Sequence, residues 1–225
     1  MSDKYIVFMK YKLAFFDMDG TILNTLDDLA DSCNYVLERN GFPVHTSEEI
    51  KFMVGNGIPK LIERALPEGT DPEVYKKILT EYIAWYEKHC SIKTGPYEGM
   101  VQCLEKLKAA GLKLAVNTNK VQSAAEELCK KYFPDIFDVI SGSHEGISPK
   151  PSPDGINEVL SVLQFSSDEC VFIGDSDVDI MTGRNAGIDE IGVDWGFRGA
   201  DFLKNHGAEC IVYNCEELLN KILDV

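Results

Sequence analysis

Hydrophobic and polar positions along the chain follow two alternating patterns. Short apolar runs bounded by polar residues are typical of buried β-strands, and longer segments with apolar residues at helical spacing predict amphipathic helices between them. The runs that predict strands cover residues 13–16, 112–116, 139–140, 170–173, 191–193 and 211–213. Because strands that alternate with helices form parallel sheets, we expect an α/β fold with a Rossmann-like parallel sheet core flanked by helices.

One long stretch, residues 25–90, has no strand pattern, and its apolar residues recur at helical spacing. The helices predicted there cover residues 27–39, 50–53, 58–65 and 72–89. We interpret residues 23–92 as an all-helical insertion after the first strand, and residues 1–22 and 93–225 as the core domain that it interrupts. The Gly95-Pro96 pair predicts a turn through which the chain returns to the core.

Composition and charge limit the possible partners. The 225 residues are 44% hydrophobic and 26% charged, as in ordinary globular proteins. The 37 acidic residues outnumber the 22 basic ones and give a formal net charge of -15, which repels nucleic acid and anionic membrane surfaces. We therefore expect no nucleic acid and no membrane among the partners, and any anionic substrate requires a local positive site.

Cysteine usage and the N-terminal residues indicate a cytoplasmic protein. The seven cysteines are scattered and form no C-x-x-C pair, so we expect reduced thiols rather than a disulfide framework. The apolar residues 5–9 are too few for the core of a signal peptide, and they are compatible with an added edge strand or a tail. No segment of the sequence approaches the length of a membrane span.

Polar side chains follow the predicted strands at the points where the strands end. They are Asp17 and Asp19 after the first strand, Thr118 and Asn119 after the second, Asp175 and Asp179 after the fourth, and Lys150 in a proline-rich segment that opens a helix. Because the carboxyl ends of parallel strands meet at one edge of a sheet, where ligands bind, we expect these side chains to lie in one cleft.

Four carboxylates in one cleft require a cation. Two unit charges about 4 Å apart repel each other by roughly 4 kcal/mol at an effective dielectric constant of about 20. A cluster of oxygen ligands without histidine or cysteine favours a hard cation, and Mg²⁺ is the common choice beside phosphate. Asp17 and Asp19 stand two positions apart on extended chain and therefore face the same side, where one can attack and the other can transfer protons.

Each of these short patterns also has a purely structural explanation. Asp19-Gly20 is a common turn, and the acids at residues 175–177 are a common helix cap. An EF-hand fails, since Ile180 and Ala186 stand where that loop needs glycine and glutamate. Lys150 and Thr118, taken singly, are ordinary surface and strand-end residues. Their joint placement after successive strands is what favours a reaction centre.

Four motifs resemble those of the haloacid dehalogenase superfamily of phosphohydrolases. They are D-M-D-G-T at residues 17–21, T-N-K at 118–120, the lysine before proline at 150, and G-D-S-D-V-D at 174–179. The resemblance covers the chain from about residue 12 onward, and it implies that residues 23–92 are a helical cap domain on a Rossmann-like catalytic core formed by residues 1–22 and 93–225. The sequences V-G-N-G at 54–57 and G-V-D-W-G at 192–196 are similar to those of the phosphoglycolate phosphatase branch.

The resemblance implies a role for each motif residue. Asp17 is the expected nucleophile, and Asp19 the expected general acid and base. Thr118 and Lys150 are expected to hold the phosphoryl oxygens, with help from backbone N–H groups around Met18, Gly20 and Asn119. Mg²⁺ is expected on Asp17, the Asp19 carbonyl and Asp175, with Asp179 nearby. The cap loop Gly55, Asn56 and Gly57 is expected to contact the leaving group, since its glycines admit close backbone approach and a helix start follows.

The implied function is Mg²⁺-dependent hydrolysis of a small phosphorylated metabolite, such as 2-phosphoglycolate, through an aspartyl phosphate, by a monomer or a homodimer. Three alternatives stay open: a phosphosugar mutase resembling β-phosphoglucomutase, a pyrophosphatase of the same superfamily, and a non-catalytic phospho-acceptor resembling a response-regulator receiver. Receivers lack the second acid, Asp19, and a large helical insertion, so the last alternative is disfavoured.

Overall fold

A six-stranded parallel sheet forms the centre of the fold in a computed structural model that describes residues 10–224. In chain order the strands are β1 (Leu13–Phe16), β2 (Leu23–Asn24), β3 (Gly95–Pro96), β4 (Lys113–Val121), β5 (Val139–Ser143), β6 (Cys170–Gly174), β7 (Asp189–Val193) and β8 (Ile211–Val212). The sheet order is β5-β4-β1-β6-β7-β8, with every pairing parallel, which confirms the predicted fold class. The extension at residues 5–9 lies outside the described residues.

Helices cover both faces of this sheet. They are α1 (Leu26–Arg39), α2 (Ser47–Met53), α3 (Ile58–Ala65), α4 (Pro72–His89), α5 (Met100–Ala109), α6 (Gln122–Tyr132), α7 (Asp154–Leu163), α8 (Asp177–Ala186), α9 (Ala200–Asn205) and α10 (Cys215–Leu223). All four side chains of β1 are buried because both faces of the strand are covered. Successive residues of a strand point to opposite faces, so Leu13 and Phe15 join the apolar cluster of α7, whereas Ala14 and Phe16 join that of α5 and α10.

The described residues between β2 and β3 form four helices and no strand. Helix α2 begins at Ser47, earlier than the predicted start at residue 50, because Thr46 and Glu49 form a capping box that satisfies the first N–H groups of the helix. Asp71 caps α4, whose first residue is Pro72. Two of these four helices, α2 and α4, therefore begin with ordinary side-chain capping signals.

The predicted turn at Gly95-Pro96 is wrong, because these residues form strand β3. Leu23 pairs with Pro96 and Asn24 pairs with Gly95, so that the two chain segments leading into and out of the helical insertion form an antiparallel ribbon. A strand of two residues is too short to leave a periodic pattern in the sequence. The predicted boundaries near residues 22 and 93 lie beside this ribbon, and the division into two domains stays a prediction.

Strand β4 continues beyond its predicted end at residue 116. Its pairing with β5 is interrupted between Asn117 and Val121, where the register shifts and an irregularity of the β-bulge kind occurs. The T-N-K motif therefore lies on irregular strand rather than after the strand, which turns its side chains toward the carboxyl edge of the sheet.

All seven cysteines are free thiols, and five of them are buried. Among the described residues, no helix combines the length and the apolar character that a membrane crossing requires.

We expect Asp28 to be a main structural anchor of the helical insertion. Its buried carboxylate accepts hydrogen bonds from the backbone N–H groups of Ile92, Lys93 and Thr94 at 2.9–3.0 Å. Asp28→Ala removes the acceptor that these groups share, so the free energy of unfolding should fall by at least about 2 kcal/mol. Asp31→Ala, which removes an exposed ion pair from the same helix, should cost about 0–1 kcal/mol. Urea denaturation checks both values, and equal losses would contradict the anchor.

Candidate active site

Three buried carboxylates meet at the carboxyl edge of the sheet. Asp17 directly follows β1, Asp175 directly follows β6, and Asp179 lies in the first turn of α8. One oxygen from each of the three lies within 4.8 Å of the others. The Ser176 N–H and hydroxyl fix Asp179 by donating to its Oδ2 at 3.0 and 2.6 Å, in a capping box at the start of α8.

Lys150 binds two members of this cluster. Its Nζ lies 2.7 Å from Asp17 Oδ1 and 2.6 Å from Asp179 Oδ1, and all of these side chains are buried. One lysine against three carboxylates leaves a formal charge of two negative units when all four groups are ionised. A divalent cation is the species that balances this charge, and the oxygen-only donor set suits a hard ion.

Electrostatics show the cost of this arrangement. Burial raises the pKa of Asp17 to about 7, with Lys150 opposing the rise and Asp179 adding to it. Burial, together with repulsion from Asp179 and Asp17, raises the pKa of Asp175 well above its usual range. Burial lowers the pKa of Lys150, but the two adjacent carboxylates outweigh this and raise it, so the lysine stays charged.

Two glycines make room for Asp175. A Cβ atom at Gly20 would lie 2.4 Å from Asp175 Oδ2, and a Cβ atom at Gly196 would lie 2.2 Å from Asp175 Cβ. The carboxylate also accepts a hydrogen bond from the Phe197 N–H at 2.6 Å. The Gly20 N–H, which we expected at the phosphoryl group, donates to the Leu23 carbonyl in this structure.

Asp19 lies apart from the three clustered carboxylates and pairs with Lys120. Lys120 Nζ is 2.8 and 3.0 Å from the two Asp19 carboxylate oxygens, and it also donates to the hydroxyl of Tyr86 on α4 at 2.8 Å. Burial raises the pKa of Tyr86 well above its usual range, so its hydroxyl stays protonated. Lys120 is not among the site residues predicted from the sequence. Its signal was available, since Lys120 follows Thr118 at the same two-residue spacing that relates Asp19 to Asp17.

The Asn119 side chain connects the backbone of Lys150 to the helical insertion. Its Oδ1 accepts from the Lys150 N–H at 2.8 Å, and its Nδ2 donates to the carbonyls of Lys150 and Gly55 at 3.2 and 3.1 Å. The contact of the Asn119 backbone with a phosphoryl group stays a prediction, and the Asn119 side chain holds the Lys150 backbone in addition.

A cavity of about 40 Å³ lies between the carboxylates and the insertion. Its lining includes Asp17, Asp19, Asp175, Thr118, Asn119, Lys120, Gly55, Gly57, Phe197 and Arg198. Other residues of the expected set lie outside this lining: Lys150 and Asp179 in the carboxylate cluster, Gly20 beside Asp175, Met18, whose side chain is buried in the apolar core, and Asn56, whose side chain accepts a hydrogen bond from Arg64 at 2.8 Å. The contact expected of the Met18 backbone N–H stays a prediction. Arg198, like Lys120, was absent from the expected set and supplies positive charge at the cavity.

A family model and two relatives of known sequence match most of this chain. A sequence model of the haloacid dehalogenase-like hydrolases matches residues 14–193. The phosphoglycolate phosphatase of Psychrobacter arcticus is 34% identical in an alignment 197 residues long, which covers 84% of this chain and 86% of that protein. A candidate pyrophosphatase of Caldanaerobacter subterraneus subsp. tengcongensis is 29% identical in an alignment 216 residues long, which covers 95% of this chain and 96% of that protein.

A solved structure is similar over nearly the whole chain. The crystal structure of a candidate phosphoglycolate phosphatase from Lactobacillus delbrueckii subsp. bulgaricus matches with a TM-score of 0.92 and 39% identity. The match covers 96% of this chain and 100% of that one.

The raised carboxyl pKa values predict how stability depends on pH and on a divalent cation. A carboxyl whose pKa is higher in the folded than in the unfolded state stabilises the fold at low pH, and this contribution is lost as the pH rises through the folded pKa. Without a divalent cation, stability should therefore fall between about pH 5 and pH 8, through the window set by Asp17 at about 7 and by Asp175 above its usual range. Added Mg²⁺ should raise the melting temperature more at the higher pH.

Thermal denaturation with EDTA and with Mg²⁺ at both pH values checks this expectation. Asp175→Asn should weaken both the pH dependence and the Mg²⁺ effect, whereas Asp201→Asn, at a fully exposed carboxylate on α9, should change neither. A Mg²⁺ effect of the same size in Asp175→Asn and in the wild type would contradict the assigned cation position.

Proposed function

Since the chain belongs to the haloacid dehalogenase-like hydrolase family, we propose that it is a Mg²⁺-dependent phosphatase that hydrolyses a small phosphomonoester, such as 2-phosphoglycolate, through an aspartyl phosphate. The observation that carries the proposal is the pairing of two acids with two different lysines. Lys150 binds Asp17 beside the clustered carboxylates, and Lys120 binds Asp19 at the cavity side. The two acids are therefore held in separate environments, as a nucleophile and a proton-transfer group require.

Asp17, Asp175 and Asp179, with the Asp19 carbonyl, are the groups that would hold Mg²⁺. When bound, the ion would offset the negative charge of the cluster and polarise a phosphoryl oxygen. Lys150 and Thr118 bind the other phosphoryl oxygens in this proposal, and Asn119 positions Lys150 through the Lys150 backbone. A chain with a net charge of -15 thus gains the local positive site that an anionic substrate needs.

The reaction consists of two displacements at phosphorus. In the first, an Asp17 oxygen forms a bond to phosphorus while the bond to the alcohol oxygen breaks, and Asp19 gives its proton to the departing alcohol. In the second, Asp19 takes a proton from water, the water oxygen bonds to phosphorus, and the phosphorus bond to Asp17 breaks. Inorganic phosphate and free Asp17 are the products, so the enzyme returns to its starting state.

Gly55 and Gly57 place the backbone of the insertion at the cavity, where the leaving group of a small substrate would lie. Both glycines have positive φ angles, 120° and 83°, which side chains rarely adopt. Lys120 and Arg198 line the same cavity, and their positive charges favour a carboxylate on the leaving group. A phosphoester with a carboxylate on its leaving group fits this arrangement of charge better than a phosphosugar, whose leaving group is uncharged.

A turnover screen tests the proposal. It covers phosphorylated carboxylates, phosphosugars, nucleotides and pyrophosphate, with Mg²⁺ and with EDTA. We expect phosphate release from small phosphomonoesters in Mg²⁺ only, and Asp17→Asn should lower the rate by at least about 10³-fold because an amide is a poor nucleophile. Asp201→Asn is the matched control.

Three outcomes would contradict the proposal. Preferred cleavage of pyrophosphate would support the activity named for the Caldanaerobacter relative. Isomerisation of a phosphosugar without phosphate release would indicate a mutase. Near wild-type turnover by Asp17→Asn, free of contaminating phosphatase and of deamidated protein, would exclude the covalent mechanism.

The cap loop generates a second prediction. Gly55→Leu should lower kcat/KM for 2-phosphoglycolate by about 10-fold more than for an activated aryl phosphate, because the aryl leaving group needs less help from the loop. Gly69→Leu is the control: Gly69 lies in the same insertion and also has a positive φ angle, but no atom approaches within 4 Å of its added Cβ. An equal loss on both substrates would remove Gly55 from the leaving-group site.

A further inference from the structure

The segment of residues 195–198 lies between the carboxylate cluster and the helical insertion. On the cluster side, the Phe197 N–H donates to Asp175 Oδ2 at 2.6 Å. The indole N–H of Trp195 donates to the Thr21 carbonyl at 3.0 Å, and Gly196 packs against Asp175. The segment is therefore fixed on a residue of the proposed cation site.

On the other side, Arg198 binds the end of α2. Its guanidinium donates to the backbone carbonyls of Lys51, Phe52 and Val54, the last two at 3.3 and 2.8 Å. The last carbonyls of a helix have no partner within the helix and carry a partial negative charge, which favours a cation there. The guanidinium also lies over the ring of Phe52, 5.6 Å from its centroid.

Arg198 differs from a second arginine, Arg64, in that it binds the insertion from outside. Arg64 donates to the Met53 carbonyl at 2.8 Å, but it belongs to α3 and so connects two parts of the insertion. Arg198 instead follows β7 of the central sheet and reaches across to the insertion. Its contact with the Val54 carbonyl holds the residue directly before Gly55, at the cavity.

We propose that Arg198 is a positioning residue that holds the loop of residues 54–57 over the phosphoryl site, and that residues 195–198 couple this contact to cation binding at Asp175. Phe197 and Arg198 are adjacent, with Cα atoms about 3.8 Å apart across a planar peptide. A cation that fixes the Asp175 carboxylate therefore fixes the peptide from which Arg198 extends. The coupling rests on the cation site of the proposed function, whereas the contact of Arg198 with α2 does not.

Backbone hydrogen exchange of the whole protein, with Mg²⁺ and with EDTA, tests both parts. In the wild type, Mg²⁺ should slow exchange at residues 51–57 by at least about 5-fold, the lower end of typical coupling between sites. Arg198→Gln should speed exchange there and remove the Mg²⁺ effect. Arg198→Lys keeps the charge but loses the planar fork of donors, so it should restore part of the protection, and it serves as the test if the Gln variant does not fold.

Arg184→Gln is the matched control. Arg184 also donates to a backbone carbonyl, that of Gly207, but it pairs with Glu190 near the start of β7, at the opposite edge of the sheet. It should leave exchange at residues 51–57 and turnover unchanged. Arg198→Gln should also lower kcat/KM for 2-phosphoglycolate by about 10-fold while an aryl phosphate loses less, because loop placement matters only for the leaving group.

Separate outcomes overturn each part. Unchanged exchange at residues 51–57 in both Arg198 variants would refute the positioning role. A Mg²⁺ effect that persists in Arg198→Gln would refute the coupling. Mn²⁺ binding, followed by electron paramagnetic resonance, separates the coupling from the proposed function. If the protein binds no divalent cation, both the coupling and the proposed Mg²⁺-dependent function are contradicted. If it binds the ion but exchange at residues 51–57 is not slower, only the coupling is contradicted.

Discussion

Mutual repulsion among Asp17, Asp175 and Asp179 is the constraint on which the surrounding structure depends. Each carboxylate brought into this buried edge has at least one partner nearby: Lys150 for Asp17 and Asp179, Ser176 for Asp179, and the Phe197 N–H for Asp175. Without such partners a buried carboxylate loses its charge rather than paying the full desolvation cost. The glycines at 20 and 196 follow from the same constraint, because Asp175 fills the space a side chain would need.

Positive groups are distributed so that each has a separate task. Lys150 stays within the carboxylate cluster, while Lys120 and Arg198 lie at the cavity, on the side of the helical insertion. Fixed charges held in a water-poor site act more strongly on a ligand than the same charges in bulk solvent. An acidic protein can therefore attract a small anion into one place while its surface repels larger polyanions.

The sequence predicted the parts of the site that depend on strand topology. Polar residues directly after buried apolar runs had to meet at the carboxyl edge, which is how Asp17 and Asp175 were found. Capping signals, such as Thr46 with Glu49, were also readable locally. Lys120 with Tyr86 and Arg198 with α2 were not predicted, because each contact joins positions far apart in sequence and depends on how the insertion packs on the sheet. Strand β3 was not predicted because a strand of two residues is too short to show alternation of apolar and polar residues.

Contacts between the sheet and the insertion converge on residues next to the proposed chemistry. Asn119 binds Gly55 of the insertion and the Lys150 backbone. Lys120 binds Tyr86 of the insertion and Asp19. Arg198 binds Val54 of the insertion, and its neighbour Phe197 binds Asp175. If the insertion moved away from the sheet, the contacts with Gly55, Tyr86 and Val54 would break, whereas the contacts with Lys150, Asp19 and Asp175 would remain. The cavity between the carboxylates and the insertion is thus lined from both sides by the same packing that holds Asn119, Lys120 and Arg198 in place.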